Sequence, residues 1–223
     1  MEFFNSIIRF LQQGGYFIYP IAFILVLGIV ITIERWWSLR SVYASNQRAY
    51  RQVRQAISQA DTQGIMQLAA QNQAPIMTML ANGITRMGSS KRREDMEYAM
   101  EEVVLEYSLR LQKRTPFLAT LANVATLLGL LGTIIGLIAA FSAVANADPA
   151  EKASLLSSSI SVAMNTTAFG LITAIPLVFV HALLQSKTAS IVDTMEMAGI
   201  KLMNAIGHHN SRQAAGTRDE QQA

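Results

Sequence analysis

The chain has no cysteine among its 223 residues. That absence excludes disulfide scaffolds, thiol catalysis and cysteine-ligated metals. Charge is missing from two long stretches: Pro116 to Ala147 and Ala153 to Ser186 contain no Asp, Glu, Lys or Arg. An apolar helix needs about 20 residues to cross a bilayer, and both stretches exceed that, which overrides a soluble globular reading. No Walker motif, nucleophile elbow, HExxH or metal-spaced cluster is present, so neither catalysis, a cofactor nor a metal site is expected. The excess of base is small, 18 Lys plus Arg against 15 Asp plus Glu. It reads as membrane topology, with no nucleic-acid partner.

What is there begins with another apolar segment, Tyr16 to Ile33. A signal peptide is the alternative, but the segment is longer than a typical apolar signal region and no small-x-small cleavage site follows. Tyr16 and Tyr19 at one end and Trp36 and Trp37 at the other match interfacial aromatic belts. Pro20 falls in the first turns, where a missing N–H costs little. The bases gather between Glu34 and Thr115 (Arg35, Arg40, Arg48, Arg51, Arg54, Arg86, Lys91, Arg92, Arg93, Arg110, Lys113, Arg114), while the stretch before has only Arg9 and the loop after the next span only Lys152. The positive-inside rule then places the N-terminus outside, the large loop inside and the C-terminus inside.

The expected fold is an all-α membrane protein of three transmembrane helices, with long helices extending into the cytoplasm. Its expected parts are an amphipathic lead (1–15), a first span (16–37), a cytoplasmic helical loop (38–115), a second span (116–145), a short periplasmic loop (146–156), a third span (157–185) and a cytoplasmic tail (186–223). The lead carries Phe3, Phe4, Ile7, Ile8 and Leu11 at helical spacing, ended by Gly14-Gly15. In the loop, Tyr50, Val53 and Ile57 suit short amphipathic helices broken at Asp61-Thr62-Gln63-Gly64, while Pro75, Gly83 and Gly88-Ser89-Ser90 mark interruptions and turns. From Lys91 to Arg114, Met96, Met100, Val103, Val104, Tyr107 and Leu111 line one face. Only Thr115-Pro116 follows before the next span, so one rod bent at the proline is expected. The uncharged run from Pro116 would measure roughly 48 Å as a helix, so it must tilt or project beyond a core of about 30 Å. The third span is expected to start near 155–160 and end near Leu184, with helix to about Ile206 and disorder from Gly216.

The polar content of the spans is the informative part. Gly129, Gly132 and Gly136 share a helix face, and Gly132 and Gly136 form a small-x-x-x-small pair suited to close helix packing. Thr133 lies among them. In the third span Asn165, Thr166 and Thr167 are followed by Gly170, Thr173 and Pro176. Pro176 frees a carbonyl near residue 172, which Thr173 or water would satisfy. An asparagine in a span needs a partner: an interhelical hydrogen bond or a pore. No span contains an acid apart from Glu34 at the inner end of the first. Proton relays in membranes use a carboxylate or histidine; His181 reads as interfacial and His208-His209 as solvated. A titrating carboxylate would therefore come from another chain.

The string Thr115-Pro116-Phe117-Leu118, the run Leu127-Leu128-Gly129-Leu130-Leu131-Gly132-Thr133-Ile134-Ile135-Gly136-Leu137 with Phe141, and Asn165-Thr166-Thr167-Ala168-Phe169-Gly170-Leu171-Ile172-Thr173-Ala174-Ile175-Pro176 strongly resemble the MotA/TolQ/ExbB proton-channel family. Three spans with one large inner loop look like its ExbB/TolQ branch, ExbB-like first and TolQ-like second. The resemblance implies a bacterial inner membrane and a homo-oligomer, typically a pentamer. It also implies an ExbD-like single-span partner whose membrane Asp carries the proton, and a TonB-like protein energised for outer-membrane transport. It maps pore-facing threonines onto Thr133 and Thr167, with Asn165 and Thr166 beside them on the ion path. Gly129, Gly132, Gly136, Gly170 and Pro176 serve helix packing. One position departs: many members have Glu five residues before the span-three threonine, where this chain has Val162. A self-contained transporter and a passive scaffold are the competing readings. The missing acid and the lack of internal repeats weigh against the transporter.

Overall fold

The computed structural model describes residues 15–89, 92–145 and 147–220. The expected amphipathic lead through Gly14, Asn146 and the last three residues lie outside them. Among the described residues the chain is all α: α1 (Ile18–Ser58), α2 (Thr62–Gln71), α3 (Pro75–Ser89), α4 (Arg93–Gln112), α5 (Thr115–Ala145) and α6 (Lys152–Glu220). Three segments, within α1, α5 and α6, are long and apolar enough to cross a membrane. The chain is a multi-pass membrane protein.

Several elements differ from expectation. Tyr50, Val53 and Ile57 do not belong to a short helix of their own, because α1 runs unbroken to Ser58. It ends in a Schellman arrangement: Ala60 N–H donates to the Ile57 carbonyl (3.1 Å) and Asp61 N–H to the Ala56 carbonyl (2.9 Å). Ala60 takes the left-handed position at φ 52°, where glycine is usual. Asp61 then caps α2, its carboxylate accepting from Gly64 N–H at 2.9 Å. The rod expected through Thr115-Pro116 is instead two helices, separated at Lys113-Arg114 with Arg114 at φ 67°. Pro116 falls in the first turn of α5, where its fixed φ and missing N–H suit a helix start. Gly83 is no turn; it lies inside α3, and a Cβ there would meet Met100 Cγ at 2.6 Å. The helix of the tail continues past Ile206 and past Gly216 to Glu220.

The chain forms two compact units. The first takes residues up to Arg35 together with Arg114–Leu183. Its core is narrow because one face of α5 is almost side-chain-free: Ala122, Ala125, Gly129, Gly132 and Ala140 are buried. Ala163, Thr166, Phe169, Gly170 and Leu177 of α6 and Ile18, Ile21 and Ile24 of α1 are buried too. A Cβ at Gly28 would come within 2.5 Å of Leu177 Cδ2, so α1 and α6 touch there. The outer faces are apolar, with Phe117, Leu127, Ile138 and Phe141 of α5 exposed. A surface of that kind belongs in lipid or against another chain.

The second unit comprises Trp36–Lys113 and the chain from Leu184 onward. Leu184, Thr188, Ile191, Met195, Ala198 and Leu202 are buried at alternating four- and three-residue spacing on α6, a coiled-coil-like stripe. Met77, Met79, Met96 and Met100 fill the space around it, unbranched side chains that adapt to irregular gaps. Asn46, buried on α1, accepts from Ile76 N–H at 3.0 Å. That bond satisfies one of the donors left open at the start of α3.

A threonine pair in a glycine-lined helix contact

The site lies in the first unit, where α5 and α6 run against each other without intervening side chains. A Cβ built at Gly170 would lie 2.8 Å from the Ala125 carbonyl oxygen and 3.0 Å from Gly129 Cα. One built at Gly129 would lie 3.3 Å from both Gly170 Cα and Thr167 Cα. Farther along, Gly136 faces Ala163 and Gly132 faces the methyl of Thr166, whose Cγ2 would be 2.4 Å from an added Cβ. Small residues at this spacing let backbones approach closely, the usual basis of helix association in lipid.

That approach brings two hydroxyls together. Thr167 Oγ1 donates to the Gly129 carbonyl across the helix contact at 2.8 Å. Thr133 Oγ1 lies 3.1 Å from the same carbonyl, one turn back in its own helix. The two hydroxyl oxygens are also in direct hydrogen-bond contact. A carbonyl has two lone pairs, and one of Gly129's already takes the Thr133 backbone N–H of the α-helical ladder. A single hydroxyl proton therefore fills the carbonyl, and the other threonine donates to its neighbour. The result is a hydroxyl–hydroxyl–carbonyl chain whose order reverses by rotating two O–H bonds. Both protons are engaged, whereas acceptor lone pairs remain on the hydroxyl oxygens. The pair is equipped to receive a donor: a protonated carboxyl group, a hydronium ion or water. Both threonines are half-buried.

Thr166 and Asn165 are placed differently from the pair. Thr166 is 2% exposed, donates to the Val162 carbonyl at 3.0 Å and fills the notch at Gly132. Asn165 is half-buried and is not a partner of either threonine in the pair. Thr173 is fully buried, but its hydroxyl has no hydrogen-bond partner. It therefore does not satisfy the carbonyl freed by Pro176, which rules out one of the two partners expected for that carbonyl. Val162 is at the surface, with its Cγ1 3.4 Å from a Cβ placed on Gly15. Glu34 is ion-paired with Arg114 and partly exposed. The meeting of Thr133 and Thr167 at one carbonyl was not readable in sequence, since it depends on the register of two helices and joins residues 34 apart in the chain.

Residues 71–197 match the profile of the MotA/TolQ/ExbB proton channel family. The chain belongs to that family. The matched span contains the whole glycine–threonine contact. The chain is similar to a putative biopolymer transport protein ExbB homolog of Methanothermobacter thermautotrophicus, 28% identical over 210 residues, which cover 93% of this chain and 72% of the relative. It is also similar to the biopolymer transport protein exbB1 of Vibrio cholerae, 26% identical over 180 residues, covering 78% and 77% of the two. Similarity to the Tol-Pal system protein TolQ of Haemophilus influenzae is higher but shorter: 41% over 71 residues, about a third of each chain. Membership of the MotA/TolQ/ExbB family makes this chain a proton-channel subunit of the ExbB/TolQ type.

Proposed function

We propose that the chain is an ExbB-like subunit of a bacterial inner-membrane motor driven by the proton-motive force. It acts with an ExbD-like single-span partner and energises TonB-dependent transport across the outer membrane. The observation that carries the reading is the Thr133–Thr167 pair in spans without a carboxylate. The pair is short of protons to give and rich in lone pairs, so it complements an acid in its protonated form. The acid is the membrane Asp of the partner, encircled by a homo-oligomer, a pentamer in this reading. Thr133 and Thr167 line the ion path, with Asn165 and Thr166 adjoining it, while Gly129, Gly132, Gly136, Gly170 and Pro176 shape the packing. The N-terminus is periplasmic, the loop carrying α2 to α4 cytoplasmic, and the C-terminus cytoplasmic.

The test uses the complete system in cells. Thr133→Val and Thr167→Val, separately and together, keep volume while removing the hydroxyls. Loss of energised uptake with normal amounts of the complex supports the reading, and full activity of the double variant refutes it. If uncouplers leave function unchanged, the chain is a passive scaffold. The similarity to TolQ favours one alternative, a subunit of the envelope-integrity system. It is distinguished by whether deletion impairs outer-membrane integrity while uptake of iron complexes and cobalamin persists.

A further inference from the structure

The second unit separates its charge by helix. From Arg40 to Ser58, α1 carries Arg40, Arg48, Arg51 and Arg54 and no acid. From Glu94 to Ser108, α4 carries Glu94, Asp95, Glu97, Glu101, Glu102 and Glu106 and no base. Among the described residues, Arg48, Arg51, Arg54, Glu101 and Glu102 are exposed and have no ion-pair partner. The exposed ridge of α4 is also apolar: Tyr98, Leu105 and Leu109 are 67%, 60% and 65% exposed. Beside it, a groove of about 480 Å³ between α3 and α4 is lined by Arg86, Asp95, Tyr98, Glu102 and Glu106, among others.

The two charged helices stand at opposite corners of the bundle. On one side, α1 touches α3 through Asn46 and Ile76. It touches α6 through Tyr50, which accepts from Lys201 at 2.9 Å, and through Trp36, under Lys187 at 4.3 Å. On the other, α4 touches α3 where Met100 fills the space at Gly83, and α6 through Arg93 and Asn204 at 3.2 Å. With α3 and α6 each packed on both, the outer faces of α1 and α4 point apart.

We propose that the acidic, tyrosine- and leucine-bearing face of α4 docks on the arginine face of α1 from a second copy, head to tail. The proposal rests on the ring-subunit reading above and names the faces that build the ring. A two-fold contact would set acid against acid or base against base. A head-to-tail contact joins opposite signs at every step, and such heterologous contacts either close into rings or run on as filaments. Tyr98, Leu105 and Leu109 supply apolar area, while the Glu–Arg complementarity sets the register and rejects the reversed pairing.

Because the native chain has no cysteine, disulfide trapping reads the contact directly. The full chain with Glu102→Cys and Arg51→Cys, oxidised in membranes, is expected to give a ladder extending beyond dimer, and each single-cysteine variant none. Separately, Glu101→Lys with Glu102→Lys, and Arg51→Glu with Arg54→Glu, should each weaken association about tenfold. Combining all four should restore it. A dimer band from Glu102→Cys alone overturns the proposal, since it means a two-fold contact. Oligomers of native mass in both reversal variants, without a ladder, also overturn it, while leaving the ring reading intact. Reversal variants that keep the oligomer yet lose a co-purifying protein overturn it as well, assigning the acidic face to that protein. A native chain that is monomeric by mass and never cross-links sinks the ring reading itself.

Discussion

Glycine has three separate uses in this chain, and single methyl groups tell them apart. At Gly170 an added Cβ meets backbone, the Ala125 carbonyl and Gly129 Cα, which cannot move aside without parting the helices. Gly170→Ala should cost about 1–3 kcal/mol, typical of overpacking, and should show as a lower thermal midpoint of the purified protein in detergent. At Gly83 the obstacle is the Met100 side chain, which is flexible, so Gly83→Ala should cost less than Gly170→Ala. At Gly88 nothing lies within 4 Å, and Gly88→Ala should stabilise by up to about 1 kcal/mol through helix propensity. The sequence marked Gly129, Gly132 and Gly136 as packing positions because they share a helix face, and Gly170 through the family resemblance. It misread Gly83 as a turn because glycine inside a helix and glycine ending one look alike until the neighbour is known. It also grouped Thr166 with Thr167, although adjacent residues on a helix point about 100° apart. One fills the Gly132 notch and the other meets Thr133.

Helix boundaries were the least legible elements, for a local reason. Both α1 and α4 end through a non-glycine residue in the left-handed region, Ala60 and Arg114, so the usual glycine signal is missing at each stop. Ala60→Gly should relieve that strain and stabilise by about 1 kcal/mol, while Asp61→Ala, which removes the cap of α2, should cost about 1 kcal/mol. Chemical denaturation followed by circular dichroism checks the pair, whose effects must have opposite signs. Pro116 carried two readings, a kink in one rod or the first turn of a new helix. Its position two residues after Arg114 decides for the second. The spans themselves were plain in the sequence, because in lipid the backbone must satisfy itself and long uncharged runs have few other uses.

At the scale of the whole molecule, the proposed orientation rests on the distribution of arginine and lysine, and the absence of cysteine makes it measurable. A single cysteine introduced at Asp148, in the loop between α5 and α6, should react with a membrane-impermeant maleimide in intact spheroplasts. One at Glu102 should react only after the membrane is opened. The reverse pattern would turn the molecule over and move the basic loop to the wrong side. Uptake assays on the Thr133→Val and Thr167→Val variants belong to the same scale, since they read the assembled system rather than the chain alone. Which residues supply hydroxyls was legible from the chain. Their convergence on a single acceptor was not, because it arises only when α5 and α6 are brought to backbone contact.

That acceptor has a spectroscopic signature. The Gly129 carbonyl takes a helical N–H and, in addition, a threonine proton, and an extra donor weakens a carbonyl bond. Labelled singly with carbon-13, Gly129 should absorb at lower infrared frequency than Gly136 of the same helix labelled the same way. Thr133→Val combined with Thr167→Val should erase the difference. If the pair lines an ion path as proposed, any event that draws the threonine protons away from Gly129 becomes a frequency change at one bond, and the peptide group would record each visit of a charge to the pair.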